Sequence, residues 1–399
     1  MENSSIGRRA FVSTAAGVLI AKPETVFGSQ ENSAVEIGIA GCGGRGNWIG
    51  KLYKEHVDVR IVALADVIRQ NLDQTRQAFG VEPARAHHGP EAGKQLAASK
   101  LDAVVIETPV YYHPEQALAA VNAGRHVYLA KPVAVDVPGC NTILEAGRKA
   151  RGKVSFFVDF QTRARPVFQE AAQRIHRGDL GDVALAQIYY YAGRPTPDRS
   201  KPGMDPGQAR LMNWLTDRTL SGDIIVEQNI HVIDLANWYL KSHPVKAYGA
   251  GGRADWSGTP YNTGDAWDHF AVTYTYPNGV EADFSSNQLT NSFSSLTVRC
   301  FGRKGAADTS YGGLVRITGE HPWMGAEKDD TFTGGAIANI KEFVASIRSG
   351  NYLNNAEGAV ESTLSCILGR TAAYTGSEVT WEQMLKKNER YEARLKLDW

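Results

Sequence analysis

The chain has little cysteine. Cys42, Cys140, Cys300 and Cys366 are scattered over 399 residues, and no two form a CxxC pair. That argues against a disulfide scaffold and against a zinc site built on thiolates. Net charge is missing too: 43 Lys plus Arg stand against 43 Asp plus Glu. Nucleic-acid binding needs a basic face that releases counterions, so no nucleic-acid partner is expected. Runs of like charge, low-complexity tracts and internal repeats are absent. A long apolar run is also lacking. The mild apolar stretch from Val12 to Ala21 is too short for a membrane helix, which takes about 20 residues.

What is present is an ordinary globular composition, with 43% hydrophobic and 22% charged residues. The start is a targeting pattern. Arg8 and Arg9 stand side by side ahead of the apolar stretch, which points to a twin-arginine signal over residues 1–33. The expected location is periplasmic or secreted, with no membrane attachment after processing. No clear A-x-A site precedes Ser33, so the cleavage point is open. The twin-arginine route carries folded proteins, so a bound cofactor would travel with the chain. The first thirty residues hold Arg8, Arg9 and Lys22 against Glu2 and Glu24. Their removal therefore shifts the charge balance by one.

From Val35 the sequence is VEIGIAGCGGRGNWIGKLYKE. Val35 to Ala40 is a buried-strand pattern. Gly41, Gly43 and Gly46 form G-x-G-x-x-G, with Gly44 and Arg45 inside it, and helical character follows. The first glycine permits a tight turn, the second lets a pyrophosphate approach, and the third lets helix and strand pack closely. The helix start offers free N–H groups and a positive dipole end. A second strand, Arg60 to Ala65, ends at Asp66, placed to accept ribose hydroxyls and to repel a 2′-phosphate. NAD is therefore expected over NADP, with Arg69 close enough to temper the repulsion. Further strands fall at 101–107, 127–130 and 154–160, with helices between. The fold expected for 34–160 is a doubly wound parallel Rossmann sheet. Thr108, Pro109, Lys131 and Gln161 sit at strand ends and should ring one crevice.

These motifs resemble the family of glucose-fructose oxidoreductase and inositol dehydrogenase (Gfo/Idh/MocA). The matching pieces are GCGGRG at 41–46, Asp66, TPVYYH at 108–113, AKP at 130–132 and SGDIIVEQNIHVIDLANW at 221–238. The resemblance implies a C-terminal α/β domain, here 161–399, whose large open sheet forms the oligomer contact. It brings His113 among the cofactor contacts and implies catalytic roles for Lys131 and His231. Two departures stand out. The family has Glu-Lys-Pro where this chain has Ala130, and often Asp where it has Glu227.

Residues 221–238 point the same way. On a single helix Glu227, His231 and Asp234 would share a face. A carboxylate beside an imidazole fixes its tautomer and raises its basicity. No second cluster completes a coordination sphere, so no metal is expected. Lys131 would stabilise the reacting oxygen and His231 would move the hydroxyl proton, oriented by Glu227. Lys131 as the base is the alternative. Arg163 reads as a substrate ligand or an interdomain salt bridge, Trp214 as a pocket wall or core, and Asp234 as a further substrate contact. Tyr189, Tyr190 and Tyr191 read as sheet packing.

In the second domain, strands are expected at 183–192, 245–252, 268–276, 279–287 and 296–302, and helices at 336–349 and 356–376. They form a mostly antiparallel sheet with one bare face, hence a homodimer or homotetramer. The expected function is NAD(P)-dependent oxidation of a CH–OH group of a sugar, polyol or glycoside, with a tightly held, internally recycled cofactor. A redox-neutral NAD-dependent glycosidase is the alternative, and a non-catalytic binding protein the second alternative.

Overall fold

The computed structural model describes residues 34–256, 264–325 and 331–396. The twin-arginine segment 1–33 lies outside them. No helix among the described residues is long and apolar enough to cross a membrane.

The first half builds a six-stranded, all-parallel sheet. Its strands are β1 (Val35–Ala40), β2 (Val59–Asp66), β3 (Ala86–His88), β4 (Ala103–Ile106), β5 (His126–Ala130) and β6 (Phe156–Asp159), in the order β3-β2-β1-β4-β5-β6. Every residue of β4 and β6 is buried, as strands covered on both faces must be. The helix Val137–Ala150 is capped by Asp136, whose side chain accepts from Gly139 N. Such a cap is worth about 1 kcal/mol. The order reverses between β1 and β4, which opens the crevice where ligands of such sheets bind.

The second sheet has nine strands. They are β7 (Val183–Tyr191), β8 (Lys246–Gly252), β9 (His269–Thr275), β10 (Glu281–Asn287), β11 (Ser295–Gly302), β12 (Gly305–Ser310), β13 (Val315–Gly319), β14 (Trp323–Met324) and β15 (Val379–Thr380). The pairings are antiparallel except β7 with β10. On β7 the period of two holds: Ala186, Ile188 and Tyr190 are buried, while Tyr189 and Tyr191 stack on the other face. The buried face joins one core with the helices Ile230–Leu240 and Ala356–Thr375. The other face leaves Leu185 and Tyr248 exposed.

The chain does not stay in its second half. Helix Thr331–Ser349 returns to the parallel sheet, where Phe343 packs on Tyr128 and Phe157. The segment 221–238 also departs from expectation. It is three short helices, Arg218–Ser221, Ile224–Glu227 and Ile230–Leu240. The break at Gln228 and Asn229 means that Glu227 and His231 do not share a continuous helix.

Candidate active site

Two cavities meet at the C-terminal edge of the parallel sheet, with Thr108 lining both. The first is lined by Gly41, Asp66, Pro109 and Leu395 among others. The glycines divide by cause. A Cβ on Gly41, whose φ is +91°, would lie 2.5 Å from Glu107 O. One on Gly46 would lie 1.8 Å from Gly41 O. The protein's own packing thus demands these two. Around Gly43 and Gly44 a Cβ would meet nothing within 4 Å, which is the open approach a pyrophosphate needs. The helix Gly44–His56 has no side-chain cap and no acid in its first turn, so its N–H groups stay free for an anion. Asp66 stands at the end of β2. Its carboxylate accepts from Cys42 N and Ile68 N, both at 2.6 Å, and burial raises its pKa. These residues fit a dinucleotide.

The second cavity gathers Lys131, Glu227, His231, Trp214 and Tyr311. Lys131 is 7% exposed and donates through Nζ to Glu227 O at 2.6 Å and Oε1 at 3.3 Å. Burial lowers its pKa, Glu227 opposes the shift, and Arg45 adds to it. The His231 imidazole meets Tyr311 edge-on at 5.3 Å. Burial, then the positive charges of Lys131 and Arg45, push it well below the ordinary imidazole range. His113 is buried, with its ring nitrogens 2.8 Å from Pro132 O and 2.9 Å from Thr108 O. It ties the strand ends of β4 and β5 together, and burial brings its pKa down to about 4.

Several expected roles are corrected. Glu227 does not hold His231: its carboxylate goes to Lys131 and to the Gln228 amide, because the helix breaks between them. Asp234 is wholly buried and binds Arg163 at 2.8 and 2.9 Å and Ser362 at 2.7 Å. Neither Arg163 nor Asp234 lines the crevice; they form a salt bridge within 161–399, between the turn after β6 and the helix Ile230–Leu240. Gln161 is 1% exposed, outside both cavities, and accepts from the Tyr311 hydroxyl. It therefore positions a crevice residue rather than lining it. Arg45 turns away from the phosphate side and binds Glu107 at 2.9 Å and Asp159. Trp214 does line the crevice wall.

Three contributors were missed. Glu107 closes an expected strand, so its place at a strand end was readable. Tyr311 follows the strand β12 and carries no local signal. The Tyr190 hydroxyl donates to Gln228 at 2.9 Å, which in turn donates to Glu227. Ala130, where the family pattern has Glu, lies between Glu107 and Asp159 on the neighbouring strand ends.

Comparison with known proteins identifies the family. Residues 35–159 match the oxidoreductase family model with an NAD-binding Rossmann fold, and 168–308 match the GFO/IDH/MocA C-terminal domain. An inositol 2-dehydrogenase of Rhizobium meliloti (strain 1021) is 28% identical over 53% of this chain and 56% of its own length. Over the first curated relatives the chain spans between 35% and 56% of their length. The aldose-aldose oxidoreductase of Caulobacter crescentus, solved with glycerol, superposes with a TM-score of 0.69 at 19% identity, covering 87% of this chain and all of that one. A levoglucosan dehydrogenase, solved with NADH and levoglucosan, gives 0.72 at 16% identity over 88% of this chain and all of that one. The two structures show the shared fold. With an NAD-binding Rossmann domain and the matching C-terminal domain, the chain belongs to the GFO/IDH/MocA oxidoreductase family.

Proposed function

We propose that the protein is an NAD-dependent oxidoreductase that acts on a CH–OH group of a sugar, polyol or glycoside. The observation that carries this reading is the convergence of Lys131 and His231 on one crevice, which shares Thr108 with the dinucleotide cavity. When bound, NAD supplies the hydride acceptor. Gly43 leaves the backbone open to the pyrophosphate, and Asp66 accepts the ribose hydroxyls and disfavours a 2′-phosphate.

Glu227 engages Lys131 through both its carbonyl and its carboxylate. That opposes the loss of its charge on burial, and in this reading a remaining N–H serves the substrate oxygen, where negative charge develops. His231, held neutral by its surroundings, takes the hydroxyl proton. Trp214 offers an aromatic face to a sugar ring.

Cofactor retention is part of the proposal. Leu395, from the C-terminal segment, lines the dinucleotide cavity. The segment is tied down by Arg210 donating to Ala393 O and by Tyr391 N donating to Asp136. Twin-arginine export to the periplasm, through Arg8 and Arg9, suits an enzyme that keeps its cofactor. The exposed face of the nine-stranded sheet supports a homodimer or homotetramer.

The test is direct. Nucleotide is extracted from the purified protein and identified, and the protein is incubated with sugars, polyols and aryl glycosides. Net reduction of added NAD supports the oxidoreductase. Aglycone release without net reduction replaces it with the redox-neutral glycosidase. Neither nucleotide nor turnover contradicts both.

A further inference from the structure

Arg45 is the least expected member of the crevice. It lies within the glycine motif, in the first turn of the helix Gly44–His56, yet its fork is spent on protein carboxylates. Nε donates to Glu107 at 2.9 Å and Nη2 donates to Asp159. Both carboxylates have no exposed side-chain surface. Asp159 also accepts from Asn339 at 2.6 Å, on the returning helix Thr331–Ser349.

Sheet order gives this contact its meaning. Glu107 follows β4, Asp159 ends β6, and β5 runs between them. Ala130 pairs with Asp159 in register, and Lys131 is the next residue. Arg45 therefore spans the end of the strand that delivers the lysine. The small Ala130 side chain, which lines the crevice, leaves room for that crossing.

We propose that Arg45, fastened to Glu107 and Asp159, is a positioning residue for Lys131. It locks the strand ends on either side of the lysine and sets the charge that its amine meets. Reaching for a phosphate instead would strand the buried Glu107 carboxylate and leave Asp159 with Asn339 alone. The aromatic surroundings hold Arg45 in place: its guanidinium lies 5.4 Å from the Trp48 ring, and Trp48 stacks on Phe332 at 5.1 Å. The charged and titratable groups facing this cluster are Lys131, Glu227, His113 and His231 on the crevice side and Tyr53 and Tyr128 beneath it. Burial, opposed by Arg45, brings Glu107 up to about 7, so its charge is sensitive to small changes around it.

The proposal rests on the catalytic reading of Lys131, and its test separates the two. Wild type, Glu107→Gln and Arg45→Lys are treated with acetic anhydride across pH, and acetylation of Lys131 is followed by peptide mass. NAD affinity and polyol turnover are measured alongside. Glu107→Gln keeps an acceptor for Arg45 but removes a negative charge, so the Lys131 midpoint should fall by about half a pH unit or more. Arg45→Lys keeps the charge but loses the fork. Its midpoint should hold, and kcat should drop about tenfold with KM for NAD and polyol within about threefold. An unmoved midpoint in Glu107→Gln overturns the proposal. So does a wild-type kcat in Arg45→Lys, or NAD binding weakened about tenfold there. If wild type oxidises no polyol, the catalytic reading fails, while the acetylation midpoints still decide the positioning claim.

Discussion

His231 and Arg163 show what single residues contribute. Oxidation by the proposed route needs a neutral imidazole. Burial and two nearby cations lower the pKa of His231 well below its ordinary value. The ring is then protonated only in acid and neutral above its lowered pKa. The acid limb of the kcat/KM profile should fall below pH 6.5, with a plateau through neutrality. A limb above 6.5 would assign the proton to another group. Arg163 is the partner of a wholly buried carboxylate, so Arg163→Met should cost about 3 kcal/mol of stability. Denaturant unfolding checks this, and KM for the polyol should stay within about threefold. A large rise in KM without loss of stability would restore Arg163 as a substrate ligand. Sequence placed these residues near the crevice but not their partners. Glu227 with His231 at i,i+4 is what a continuous helix would give; only the break at Gln228 redirects the carboxylate to Lys131.

Elements were more legible where their signal is local. The β1–glycine turn–helix unit and the strand ends at Asp66 and Lys131 follow from periodicity and breakers within about 30 residues. The short strands β12 to β15 carry too little pattern to stand out. Helix Thr331–Ser349 was legible as a helix, but its docking on the parallel sheet rests on contacts with Tyr128 and Phe157, far off in sequence. The C-terminal segment belongs to the same class of hidden contact. Burying one Leu is worth about 1.5–3 kcal/mol. Deletion of residues 389–399 should therefore speed NAD dissociation about tenfold in stopped-flow displacement. An unchanged rate would remove the segment from cofactor retention.

For the whole molecule, the two sheets divide the labour. The parallel sheet presents the cradle and Lys131; helix Ile230–Leu240, packed on the second sheet, brings His231. The crevice exists only where both meet. The second sheet's other face bears Leu185 at 41% and Tyr248 at 57% exposure. Leu185→Glu with Tyr248→Glu should yield monomers by light scattering if that face joins subunits; an unchanged mass would place the contact elsewhere. The central claim is that Lys131 and His231 perform the chemistry while the cradle alone holds NAD. Polyol-dependent NADH formation and NAD affinity, measured together in Lys131→Ala and His231→Ala, test it most directly. Turnover should fall by about 100-fold or more in each, with NAD affinity within about threefold of wild type. Full turnover in either variant would contradict the account.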